Sequence, residues 1–206
     1  MKTTATCRIV MCAPGSNEWL VFESQFEADC ARVFWSMPNV RSVQAQYGPI
    51  PYTDSKGKIH LHYVDLRVEF MNGFVILYCV RPESKVHHGE LKLIVEDIRN
   101  HQLDYYGDRI EILTEKKITK SKIYEAREIL AARLLKNSPD CQRLLELLRS
   151  KDKPVQAFKL LEEFGSQGDG MIALWNLMGD HLVDHVVEDA SLTFTPVSFV
   201  RARSVK

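Results

Sequence analysis

The amino-acid sequence predicts an α/β domain with a mixed central sheet and flanking helices, followed by a small, mostly helical domain. Between about residues 40 and 80, apolar and polar residues alternate as in half-buried strands, and helical periodicity lies on both sides of this region. From about Glu115 the character changes, because the basic stretch KKITKSK opens a series of helical segments. We therefore expect two domains, at residues 1–115 and 116–206.

The first domain is predicted to contain an amphipathic helix ahead of its strands. Ser24 opens the segment SQFEADCARVFWSM, in which apolar residues recur at the spacing of one helix face. A helix with such a face buries it, so we expect this segment to pack against the sheet. The apolar residues of that face are Phe26, Cys30, Val33, Phe34 and Met37.

The strands of the first domain follow in order. The segments VRSVQAQY and KIHLHYVDLRVEF alternate like half-buried strands, and Asn72-Gly73 is the signal for a two-residue hairpin turn. The next segment, FVILYCV, is apolar nearly throughout, which predicts a central strand. A helical stripe of Leu91, Ile94 and Ile98 and then the strand-like RIEILTE complete the order helix, strands, helix, strand.

The second domain is predicted to be built from short helices. Helical segments lie near residues 120–136, 139–149 and 154–164, and the apolar segment GDGMIALWNLMGDHLV adds a compact helix. The segment SLTFTPVSFV is interpreted as a short strand or a docked tail. A few short helices closed by a small extended element are compatible with a winged-helix-like domain, an outline that many small helical domains share.

Composition limits the classes of function. Lys and Arg together number 27, as do Asp and Glu, so the formal net charge is zero and any DNA binding must come from local patches. The five cysteines are scattered without CxxC spacing, which argues against a disulfide framework or a zinc site and favours a reducing, cytoplasmic setting. No apolar run approaches the roughly 20 residues needed to span a bilayer, so we expect no membrane association.

One group of polar residues could carry phosphodiester chemistry. Such cleavage generally needs carboxylates that hold Mg²⁺, which polarises the phosphate and activates water, with a cation close by. Asp65 lies between Val64 and Leu66 in a predicted strand, and the hairpin turn can bring it beside Cys79 and Arg81 at the end of the next strand. The sequence thus predicts a carboxylate and a guanidinium side by side.

Several stretches around these residues resemble one family of nucleases in order and spacing. The resemblance is to the TnsA-type transposon endonucleases of the PD-(D/E)XK superfamily, and it covers roughly residues 20 to 115. It implies a restriction-endonuclease-like mixed sheet flanked by helices. The matching stretches are Ser24-Gln25-Phe26-Glu27, Asn39-Val40, Val43-Gln44-Ala45-Gln46-Tyr47, Tyr63-Val64-Asp65-Leu66 and Tyr78-Cys79-Val80-Arg81-Pro82.

The resemblance assigns roles to four residues. Glu27 matches the helical metal-site glutamate and Asp65 the central metal-binding aspartate, so these two would hold Mg²⁺. Cys79 stands where the family has Glu or Gln, and Arg81 stands where it has the catalytic Lys. A thiol offers no hard oxygen ligand, and a guanidinium does not readily release a proton. Lys85 could supply an ammonium group from a displaced position.

The function implied is that of a TnsA-like DNA-binding protein of a transposition or mobile-element system, whose nuclease activity is weakened or lost. Its partners would be DNA, a DDE-type transposase and an ATP-dependent regulator of transposition. One alternative is an active Mg²⁺-dependent endonuclease that cuts the 5′ ends of the element. A further alternative is a protein-interaction or regulatory module, which the zero net charge favours.

Basic stretches near and beyond the domain boundary are candidates for contacts with DNA phosphates, although charge runs often only face solvent. They comprise Lys116, Lys117, Lys120, Lys122 and the C-terminal tail at 201–206.

Each site residue also has an ordinary structural interpretation. Ser24 and Glu27 have the spacing of a capping box, which satisfies the first N–H groups of a helix. An Asp65–Arg81 ion pair would occupy the site without metal. Cys79 is interpreted as an inert core thiol, because the pattern indicates no histidine or aspartate partner for it. His60, His62, His87 and His88 are assigned no role.

Overall fold

The computed structural model describes residues 8–86, 89–101, 103–186 and 198–203. The chain divides into two compact units: residues 1–35 with 39–119, and residues 36–38 with 120–206. The main segment of the second unit thus begins at Lys120, a few residues beyond the boundary expected at 115/116. Cys7, His87, His88 and residues 204–206 lie outside the described residues.

The first unit is a mixed α/β structure with a small hairpin and a four-stranded sheet. The sheet order is β3-β4-β5-β6, in which β3, β4 and β5 pair antiparallel and β5 pairs parallel with β6. The elements are β1 (Ile9–Cys12), β2 (Trp19–Phe22), α1 (Gln25–Ser36), β3 (Val40–Thr53), β4 (Ile59–Phe70), β5 (Val75–Val80), α2 (Glu83–Val86), α3 (Glu90–His101), α4 (Leu103–Tyr106) and β6 (Arg109–Leu113).

The strand β5 carries helices on both faces of the sheet. All six of its residues are buried, as its apolar sequence predicts for an interior strand. Leu77 belongs to a core cluster with Val95 and Ile98 of α3, whereas the adjacent Tyr78 stacks on Phe34 of α1 with ring centroids 4.9 Å apart. Because successive strand residues point to opposite faces, α1 and α3 cover opposite sides of the sheet.

Two local predictions for this unit differ from the structure. The β4–β5 turn is one residue wider than the two-residue turn predicted, because the Phe70 N–H donates to the carbonyl of Phe74. Gly73 takes a positive φ of 85° there, which suits the left-handed position of a three-residue hairpin loop. The β1–β2 hairpin was not predicted, because Pro14 and Gly15 interrupt the apolar pattern.

The described residues of the second unit form four helices and a small sheet of order β7-β9-β8, in which both pairings are antiparallel. Its core contains the fully buried Leu144, Leu160 and Leu174. Of the segment SLTFTPVSFV, residues 191–197 lie outside the described residues, and its end forms a strand. The elements are α5 (Lys120–Arg133), α6 (Ser138–Arg149), β7 (Val155–Gln156), α7 (Ala157–Phe164), α8 (Gln167–Gly179), β8 (Val183–His185) and β9 (Phe199–Ala202).

Within the described part of the chain, no helix combines the length and the apolar character that crossing a membrane requires.

Candidate functional site

Asp65 lies where the strands β4 and β5 stop pairing. The register between them runs from Glu69↔Val75 to Leu66↔Tyr78. One step further, the Val80 N–H donates to Oδ2 of Asp65 at 2.7 Å, so the carboxylate takes the place of a main-chain acceptor. The residue is 6% exposed. A buried backbone N–H needs a partner, which gives Asp65 a structural role in addition to any chemical one.

Arg81 shares this carboxylate oxygen. Its Nη1 donates to Oδ2 of Asp65 at 3.1 Å and to the carbonyl of Val80 at 2.6 Å, while its backbone N–H donates to Leu113 of β6. The hairpin therefore brings Asp65 and Arg81 together, as the sequence predicts. The ion pair predicted as the alternative to a metal is present.

The electrostatic surroundings of Asp65 oppose its ionisation. The pKa of the carboxyl is raised to about 6, chiefly by burial and to a smaller extent by the charge of Glu27, while Arg81 and the Val80 N–H act to lower it. The influence of Glu27 indicates that the two carboxylates predicted to share a metal lie in one electrostatic neighbourhood. The guanidinium offsets the burial cost only in part.

Glu27 stands in the first turn of α1 with both carboxylate oxygens engaged. Its Oε1 accepts from the Ser24 hydroxyl at 2.8 Å, and Ser24 Oγ accepts from the Glu27 N–H at 3.2 Å. Its Oε2 accepts from the Glu23 N–H at 2.9 Å and from Nε2 of Gln46 at 3.3 Å. These bonds are those of an N-terminal helix cap, and Gln46 ties the cap to β3.

Oxygens that a magnesium ion would need at Glu27 and Asp65 already have hydrogen-bond partners in this structure. Mg²⁺ demands near-octahedral oxygen coordination, yet both oxygens of Glu27 and one of Asp65 already accept hydrogen bonds. No group of three or more His, Cys, Asp or Glu side chains placed to hold a metal occurs among the described residues. Cys79, which stands where the resembled family has Glu or Gln, is a buried thiol.

Cys79 does have a histidine neighbour, which sequence patterns did not indicate. Its Sγ lies 3.4 Å from Nε2 of His62, on the adjacent strand β4. Burial raises the pKa of the Cys79 thiol to about 12, so the thiol stays protonated near neutral pH. Burial, and then Arg81, lower the pKa of His62. The pair is a neutral core contact and not an activated nucleophile, because the thiolate is the reactive form.

The lysines predicted to contact DNA differ in their surroundings. Lys116 forms an ion pair with Glu83 at 2.7 Å, and Lys117 forms one with Glu111 at 2.6 Å. Lys120 and Lys122 lie in the first turn of α5. The first two lysines would have to leave their carboxylate partners to bind phosphate fully.

Lys85 belongs to the short helix α2 and is exposed. Within the part of the chain that the structure describes, it makes no ion pair with Asp65 or Glu27 that would place an ammonium at the carboxylates.

The chain has no match among models of known protein families, and none of the curated proteins matches it. What the fold and site define is a two-unit α/β protein with a buried carboxylate held by an arginine.

Proposed function

We propose that the first unit is a PD-(D/E)XK nuclease fold of TnsA type whose centre no longer cuts, and that the protein is a DNA-binding component of a transposition or mobile-element system. The observation that carries this proposal is the Asp65–Arg81 pair. Arg81 stands at the position of the family's catalytic lysine, and its guanidinium donates a hydrogen bond to the Asp65 carboxylate. A mixed sheet with α1 and α3 on opposite faces supports the fold. The resemblance supplies the partners: DNA, a DDE-type transposase and an ATP-dependent regulator.

The topology of the second unit supports a winged-helix assignment. The element order from α6 is helix, strand, helix, helix, strand, strand, and the first strand pairs with the last, as the sheet order β7-β9-β8 records. The sequence predicts only short helices and a small extended element, whereas the structure adds a three-stranded sheet in this order. Such domains often bind DNA, which agrees with the proposed function.

The chemistry of the site favours the non-cutting form. Arginine keeps its proton under all ordinary conditions, so it cannot act in proton transfer as a lysine can. Cys79 offers sulfur where a hard cation needs oxygen. One observation favours the alternative, an active Mg²⁺-dependent endonuclease: Glu27 and Asp65 are both buried, and the charge of Glu27 contributes to the raised pKa of Asp65.

The test is cleavage of supercoiled plasmid in Mg²⁺ and, separately, Mn²⁺. We expect the wild-type protein to nick no faster than Asp65→Ala. The double variant Cys79→Glu with Arg81→Lys should gain metal-dependent nicking, and adding Asp65→Ala to it should abolish that gain. Metal-dependent nicking by the wild type that is lost in Asp65→Ala would instead establish the endonuclease.

A further inference from the structure

The helix that would read bases in a winged-helix domain is poorly suited to do so here. In helix-turn-helix units the second helix of the pair enters the major groove, and here that helix is α8. Its sequence, QGDGMIALWNLMG, contains no Lys or Arg and one Asp, and most of the helix is buried in the core. DNA contacts by this unit must therefore come from another surface.

Cations gather elsewhere on the second unit, around a cavity of about 620 Å³. The end of α6, the segment 150–154 and the strand β9 line this cavity, and an adjoining hollow extends it to Lys159 and Phe199. We call this surface the basic groove. Its cations are Arg149, Lys151, Lys153, Lys159, Arg201 and Arg203.

Local structure explains only part of this clustering. Cations at the C-terminus of a helix are favoured by the helix dipole, which accounts for Arg149 and Lys151 at the end of α6. Arg201 lies in β9 next to the buried Val200, and Arg203 follows directly after the strand; both are exposed and two residues apart, so they share the outer face. The dipole of α6 gives no reason for basic residues on a strand that pairs with β7 and β8.

Neighbouring carboxylates neutralise only part of the charge in the groove. Lys151 pairs with Glu163 at 2.6 Å, Nε of Arg203 donates to Asp184 at 3.0 Å, and Asp152 also lines the cavity. Within the described ranges, the other four cations form no ion pair; all four are exposed and comprise Arg149, Lys153, Lys159 and Arg201. The groove therefore presents net positive charge on a protein with none overall.

We propose that the basic groove binds the phosphodiester backbone of duplex DNA, independently of base sequence. This deepens the proposed function and rests on its DNA-binding part. Exposed lysines and arginines along a concave surface suit a run of phosphates. Among the described residues that line the groove, the sole aromatic one is the half-buried Phe199 of β9, so this part of the chain offers no stacking platform of the kind that single strands favour.

The experiment measures binding of the full chain to a fluorescein-labelled 30-base-pair duplex by anisotropy, across a series of KCl concentrations. The groove variant carries Arg149→Gln, Lys153→Gln and Arg201→Gln. Each phosphate contact contributes about 0.9 to the slope of log affinity against log salt, so the slope should fall by about 2 to 3. Affinity near 0.1 M salt should fall at least about tenfold.

Two control variants make the result specific. Lys56→Gln, Lys58→Gln and Lys92→Gln remove the same charge from exposed positions of the first unit and should leave the slope nearly unchanged. Arg149→Lys, Lys153→Arg and Arg201→Lys keep the charge and should bind like wild type. A groove variant that loses binding without a matching loss in the controls, at unchanged thermal stability, supports the proposal.

Three outcomes would overturn it, and they are distinguishable. If wild type binds and the groove variant keeps its affinity and slope, the groove is not the binding surface, while the DNA-binding function stands. If both Gln triples weaken binding equally, only overall charge matters and the groove is likewise wrong. If wild type shows no salt-dependent binding to the duplex, both the groove and the proposed function fail.

Discussion

At the scale of single residues, Asp65 combines two tasks that conflict. Its oxygen replaces a missing main-chain acceptor for the Val80 N–H, which favours the carboxylate, yet the site is buried enough to raise the pKa of the acid to about 6. Arg81 lies beside it with a partly exposed side chain and compensates only partly. Leaving a buried charge incompletely paired costs stability, which ties this residue to pH.

We expect Asp65→Asn to change how the free energy of unfolding depends on pH. A carboxyl whose pKa is raised on folding stabilises the fold below its unfolded value near 4, and this contribution is lost as pH rises through about 6. Between pH 4 and 7, the free energy of unfolding of the wild type should therefore fall by up to about 3 kcal/mol relative to that of Asp65→Asn. Urea unfolding at several pH values measures this.

Asp65→Ala is the control for the hydrogen bond. It leaves the buried Val80 N–H without its acceptor and should cost roughly 1 to 3 kcal/mol even at low pH. A difference between wild type and Asp65→Asn that does not change with pH would show that the carboxyl titrates normally in the fold.

At the scale of elements, α8 depends on glycine for its packing. A Cβ at Gly179 would lie 2.5 Å from Cγ2 of Ile129 in α5, so the two helices meet where only glycine fits. Asn176 of the same helix, which is fully buried, donates through Nδ2 to the carbonyl of Ala132 in α5 at 3.0 Å. The first turn differs, because a Cβ at Gly168 would meet nothing within 4 Å.

The same substitution should therefore have opposite effects at the two ends of α8. Gly179→Ala should destabilise the protein by roughly 1 to 3 kcal/mol through overpacking against α5. Gly168→Ala should stabilise it by up to about 1 kcal/mol, because alanine loses less backbone entropy in a helix. Thermal unfolding of the two variants decides this, and equal effects of the same sign would contradict the close helix contact.

At the scale of the whole molecule, each unit has a core of its own. The buried residues of the second unit's core cluster all lie between Ile129 and Val200, and those of a core cluster in the first unit lie between Ile50 and Ile110. Domains with separate cores can fold separately. Net charge is zero overall, so the proposed DNA affinity would depend on where the charges lie.

We predict that a fragment of residues 120–206 folds without the rest of the chain. It should show helical circular dichroism, a cooperative thermal transition and dispersed amide signals, and it should retain salt-dependent binding to duplex DNA through the basic groove. A fragment that lacks cooperative unfolding would show that the second unit needs the rest of the chain, residues 36–38 included. The matching fragment 1–119 serves as the comparison, and we expect it to bind DNA more weakly.

Much of the local structure was predictable, because it depends on neighbours in the sequence. The apolar spacing after Ser24 predicts α1, and FVILYCV predicts a buried interior strand; both are confirmed. The Asn72-Gly73 pair also predicts the hairpin between β4 and β5. Because the hairpin pairs these two strands, it predicts that Arg81 lies near Asp65. The resemblance to TnsA-type nucleases and the partners it implies stay predictions.

The sequence by itself determined α1, the strands of the four-stranded sheet with their order, and the residue types available to the site. Only the tertiary structure decided what those residues contact, because strand register sets His62 beside Cys79 and β3 brings Gln46 onto Glu27. The basic groove likewise joins residues near 150 with residues near 200, which pairing of β7 and β8 with β9 brings together. Periodicity reports which face of an element is buried, whereas long-range pairing selects the neighbours on that face.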